Sequence, residues 1–127
     1  MEIVAALVTF RIRNGVKELL FRRDRDSYYW SFPGGTQRPG ESVGQSLSRN
    51  LASQGIDAGT VRRLGTISTH ARDGKLQITH VFAGATSSIA SPDAEWMDKT
   101  RARLQSGFMT ASMVDVLLPH LEAERHW

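Results

Sequence analysis

The chain contains no cysteine. Disulfides, thiolate nucleophiles and cysteine-based zinc sites are therefore excluded. Long apolar runs are missing too. The first such run, residues 1–10, soon meets Arg11 and Arg13, and nothing approaches the roughly 20 residues of a membrane-spanning helix. Glu2 stands where a secretory leader carries Lys or Arg, so a strand is expected there, in a cytoplasmic protein with no membrane contact. Neither charge dominates. The 16 Lys and Arg against 13 Asp and Glu give a net charge of +3. That suits an anionic ligand but is no strong nucleic-acid signal. The most informative absence is local: no Asp or Glu lies between Glu41 and Asp57.

What remains fits one compact domain spanning residues 1–127, with 40% hydrophobic and 23% charged residues. Residues 3–10 are dense in Val, Ala, Leu and Phe and are expected to form a buried strand. Asn14-Gly15 signals a hairpin turn, and "KELLFRR" returns as its second strand. "RDRDSYY" reads as loop. Pro33 should stop a strand in "WSFPGG" because it has no N–H for the ladder. Val43, Leu47 and Leu51 recur every four residues, which predicts a helix over residues 42–54 ending at Gly55. Its glycine, serines and asparagine are poor helix formers, so packing must stabilise it. Residues 61–71 and 76–86 read as a hairpin around Asp73-Gly74. "SSIASPD" reads as loop, "AEWM" as a short strand and "KTRARLQS" as a short helix. A last helix is expected from Thr110, kinked at Pro119.

The stretch "GTQRPGESVGQSLSRNLASQGI" resembles the Nudix box of the Nudix hydrolases, G-x5-E-x7-R-E-U-x-E-E-x-G-U, where U is bulky and aliphatic. Gly35, Glu41, Arg49 and Leu51 take their positions at the family's spacing. Gly55 and Ile56 match the closing pair one residue early. The flanking segments resemble the family over nearly the whole chain. The resemblance implies an α+β fold, an α/β/α sandwich with a mixed β-sheet. It also implies MutT-like chemistry: hydrolysis of nucleoside diphosphates linked to a variable group, with Mg²⁺ or Mn²⁺ held by glutamates on the box helix.

The departures fall on those glutamates, whose positions here hold Asn50, Ser53 and Gln54. Three glutamates on one helical face carry about −3 in charge, and these residues carry none. Amide and hydroxyl oxygens do not offset the dehydration of a hard cation. No cofactor is expected, and Mg²⁺ or Mn²⁺ only if the domain is active. The leading expectation is a nucleotide- or diphosphate-binding domain with weak or no hydrolysis. An active hydrolase with a rearranged metal site and a protein–protein interaction module are the alternatives.

Glu41 is a candidate catalytic residue, as a remaining metal ligand, or a structural partner of Arg49, with the structural role favoured. Glu95, beside Trp96, is the other candidate catalytic residue, as the extra ligand or base that some members of the resembled family take from outside the box. Arg22, Arg23, Phe32, Gly34 and Gly35 are candidate substrate contacts, as cations, a stacking ring and backbone donors. For each there is a plainer reading: a self-paired charge run, core packing and a turn that needs glycine. His80 reads as a hydrogen-bonded interior histidine. The expected partner is a small nucleotide or diphosphate, and a homodimer stays open.

Overall fold

The protein is described by a computed structural model covering residues 1–23, 29–70 and 73–105, the side chains of Ser87 and Arg103 excepted. Asp24, Arg25, Asp26, Tyr28 and the helix expected from Thr110 lie outside the described residues. Seven strands and two helices are seen among the described residues. They are β1 (Glu2–Val8), β2 (Phe10–Arg13), β3 (Val16–Arg22), β4 (Gly34–Thr36), α1 (Val43–Ser53), β5 (Ile56–His70), β6 (Leu76–Ile89), β7 (Ala94–Asp98) and α2 (Lys99–Gln105). Their contacts separate into two compact units: Met1–Thr9 with Phe32–Pro92, and the other described residues.

The first unit is a four-stranded sheet in the order β4-β1-β6-β5 with α1 packed on it. It is mixed: β1 runs parallel to β6, while β1–β4 and β5–β6 are antiparallel. Burial explains the arrangement. β1 is apolar on both faces, with Ala5, Ala6, Leu7 and Val8 no more than 4% exposed, as a strand flanked on both edges requires. α1 forms despite weak propensity because Leu47 and Leu51 are buried, each contributing about 1.5–3 kcal/mol. A capping box starts it. The Ser42 side chain accepts from the Gln45 N–H, and Gln45 accepts from the Ser42 N–H. Gln54 is the C-cap, and Gly55 follows at φ 69°, the left-handed conformation that ends the helix.

The second unit is an antiparallel sheet in the order β2-β3-β7, with α2 against β3 and β7. Asn14 and Gly15, both at positive φ, make the two-residue turn between β2 and β3. Leu19, Leu20, Phe21 and Met97 form its core.

Three expectations are corrected. Residues 3–10 are not one strand. The chain leaves β1 at Thr9, and Phe10 opens β2, so the partner of β3 in the hairpin is residues 10–13. β5 begins at Ile56, not Val61. Register shifts at Asp57/Ala58 and Ala58/Val61 break the alternation that would have revealed the earlier start. "SSI" is strand, not loop, since β6 runs to Ile89 with Ser88 opposite Asp57. Its polar residues carry no apolar period.

Candidate functional site: the box helix and the edge of β4

The box residues come together in the first unit. Gln37 to Glu41 form the loop into α1. Pro39 and Gly40 (φ 82°) sit at the centre of a turn closed by the Glu41 N–H on the Arg38 carbonyl at 3.2 Å. The Gln37 side chain donates to the Glu41 carbonyl at 2.6 Å.

Glu41 and Arg49 form a bidentate pair. Arg49 Nε donates to Oε2 and Nη2 to Oε1, both at 2.8 Å. The Arg38 N–H donates to Oε1 at 2.9 Å. The two side chains are only 15% and 29% exposed. The Arg49 hydrogen bonds, then the Arg38 N–H, hold the Glu41 carboxyl at about 2, down from 4.5. The same bonds push the Arg49 guanidinium up. This is an anion held by three hydrogen bonds from its own loop and helix.

β4 is the edge of its sheet. In an antiparallel ladder alternate residues face the partner strand. Here Pro33 and Gln37 bond to Leu7 and Ile3, so Gly34 and Thr36 turn their backbone groups outward. α1 meets them. Gln54 Oε1 accepts from the Gly34 N–H at 3.0 Å, and Gln54 Nε2 donates to the Gly34 carbonyl at 2.7 Å. Arg49 Nη2 donates to the Thr36 carbonyl at 3.0 Å, and Ser46 Oγ at 3.4 Å. Asn50 Nδ2 donates to the Ser46 carbonyl at 2.9 Å. Ser53 Oγ donates to the Asn50 carbonyl at 2.8 Å. Ser46, Arg49, Asn50, Ser53 and Gln54 follow i, i+3, i+4, i+7, i+8, one flank of a helix.

The glycines are explained by proximity. Gly34 has φ 127°, and a Cβ there would collide with the Ala5 carbonyl. A Cβ on Gly35 would stand 2.5 Å from Asn50 Oδ1. The Gly34 N–H is already donated to Gln54, and Gly35 is paired with Ala5 on β1.

Phe32 is 7% exposed. In the second unit, Arg22 bridges Ser31 through the backbone, and the Arg23 guanidinium lies 4.9 Å above the Trp30 ring. Glu95 is ion-paired to Arg101 at 2.6 Å. His80 Nδ1 lies 2.7 Å from Arg63 Nη2. Burial, then the Arg63 charge, pushes its pKa down. His70 pairs with Leu76, away from His80. Among the described residues no three His, Asp or Glu side chains gather where they could share a metal ion.

The geometry of α1 on a mixed sheet also decides the comparison with solved structures. The fold is the Nudix fold. The chain superimposes on the C. elegans Ap4A hydrolase with TM-score 0.69 at 19% identity, covering 95% of this chain and 98% of that one. For the Nudix domain of Shewanella oneidensis NrtR complexed with ADP ribose the TM-score is 0.70 at 19% identity, covering 94% and 87%. For the MutT protein of Bacillus halodurans it is 0.66 at 17% identity, covering 91% and 80%. No protein-family model and no curated protein sequence matches the chain.

Sequence reasoning missed two features of the Nudix-fold unit. The roles of Ser46 and Thr36 at the β4 edge carried one usable signal, the spacing of Ser46 with Asn50 and Arg49. A groove of about 510 Å³ lies on the other flank of α1, between Leu47, Ser48, Ala52 and residues 56–59. Its lining mixes Leu47, Leu51, Ile56 and Val61 with small residues and has no single sequence signal.

Proposed function

We propose that this Nudix-fold chain binds a nucleotide or related diphosphate and hydrolyses it weakly or not at all. The observation that carries the reading is the flank of α1 that faces β4. Where the box has metal-holding glutamates, Asn50, Ser53 and Gln54 are neutral and already bonded within the chain. Mg²⁺ and Mn²⁺ are hard cations that favour carboxylate oxygen. These three residues do not fit such an ion. Glu41 is held by Arg49 and Arg38, and Glu95 is bound to Arg101, so recruiting either breaks an ion pair.

Binding can outlast the loss of such a site, because the glycine approach and the Glu41–Arg49 pair are held without a cation. ADP ribose, the ligand of the NrtR domain, belongs to the class proposed here. Within the first unit, Gly34 and Gly35 are the proposed contacts, where the absence of side chains lets a ligand approach the backbone.

The test is a thermal-shift panel of ADP ribose, Ap4A and nucleoside triphosphates, run beside turnover assays with Mg²⁺ and Mn²⁺. At least one diphosphate is expected to stabilise the fold. Its turnover is expected at least about 10²-fold below the usual enzyme range of about 1–10³ s⁻¹. Turnover within that range overturns the reading. Stabilisation by none of them favours the interaction module instead.

A further inference from the structure

We infer that one flank of α1, through Ser46, Arg49 and Gln54, is an edge cover for β4, with Gln54 as its fastening residue. This goes beyond the reading above, since it holds whether or not the chain binds a diphosphate.

An edge strand exposes N–H and C=O groups that must find water, another strand or a side chain. The outward groups of β4 find side chains of α1. Gln54 takes both groups of Gly34, while Arg49 and Ser46 take the Thr36 carbonyl. A carboxamide is the group this geometry requires. It accepts with one atom and donates with the other, matching the N–H and C=O of a single residue. A carboxylate only accepts. It can hold the Gly34 N–H, but its second oxygen would face the Gly34 carbonyl oxygen. Gln54 is therefore the side chain that closes this edge and not simply a glutamate lost. Asn50 instead bonds back within α1, its amide nitrogen on the Ser46 carbonyl, and its oxygen lies where a side chain on Gly35 would stand.

A carboxylate at position 54 should therefore loosen the edge. The test compares the parent with Gln54→Glu and Gln54→Met. Readouts are thermal unfolding from pH 7 to pH 4 and amide exchange at Gly34. At pH 7, Gln54→Glu is expected to unfold about 5 °C below the parent. In Gln54→Met, which removes the acceptor of the Gly34 N–H, Gly34 exchange should rise about tenfold.

The decisive signature is the pH dependence. A protonated carboxyl both donates and accepts, so it restores both bonds. Facing a carbonyl, the introduced carboxyl has its folded pKa raised above the unfolded value of about 4.3. Its stabilising contribution is present below that value and lost as pH rises through the folded pKa. The deficit of Gln54→Glu should therefore shrink toward pH 4, while that of Gln54→Met, which fills the space without the bonds, should not. The inference is overturned by unchanged Gly34 exchange in Gln54→Met or by a Gln54→Glu deficit that ignores pH. Neither outcome depends on nucleotide binding.

Discussion

Gln54 meets the Gly34 backbone twice, donating to its carbonyl at 2.7 Å and accepting from its N–H at 3.0 Å. The C-cap of the box helix is thereby tied to the glycine approach that precedes the box, twenty positions earlier. The tie is neutral at both ends, so neither salt nor moderate pH should loosen it.

The Glu41–Arg49 pair should instead respond to acid. Its carboxyl titrates at about 2 in the folded chain against 4.5 in the reference state. A depressed carboxylate stabilises the fold above the unfolded value, and that contribution is lost as pH falls from 4.5 through 2. Glu41→Gln should therefore be less stable than the parent at pH 7. The difference should narrow across that window, as followed by thermal unfolding at stepped pH.

Gly35 and Asn50 should be energetically coupled. A methyl group on Gly35 would press on Asn50 Oδ1, so Gly35→Ala should cost about 1–3 kcal/mol. In an Asn50→Ala background the cost should fall by about 0.5 kcal/mol or more. A double-mutant cycle in denaturant reads this directly.

The capping box should be worth more here than in a helix of strong formers. Ser42→Ala removes the acceptor for the Gln45 N–H and should cost about 1 kcal/mol. At this chain length that lowers the unfolding temperature by about 3–6 °C.

His80 should stay neutral at pH 7. Burial and Arg63 lower its pKa from 6.5, so the unfolded chain binds the proton more readily. Stability should fall as pH drops below 6.5, through the folded value. NMR titration of the ring should place the midpoint below 6.5, and Arg63→Ala should move it up. An upward-shifted midpoint in the parent would contradict the geometry.

These residues differ in how visible they were in the sequence. Gly35, Glu41 and Arg49 were legible because the box fixes their spacing, and Asn14-Gly15 because that dipeptide fits one turn. Leu47 and Leu51 followed from helical period. The parallel pairing of β1 with β6 was not legible, because it joins residues about 75 positions apart with no local signal. The true start of β5 was hidden by bulges. Gln54 read only as a missing carboxylate. That its amide faces the β4 backbone depends on where the helix ends against the strand's register, which is set by tertiary packing.

The most direct measurement is a calorimetric titration of the protein with Mn²⁺ and Mg²⁺, alone and with a saturating diphosphate. An α1 flank without carboxylates predicts no resolvable binding of either ion to the free protein, and a diphosphate affinity unchanged by adding them. Tight binding of Mg²⁺ or Mn²⁺ that is lost on mutating Asn50, Ser53 or Gln54 would contradict it.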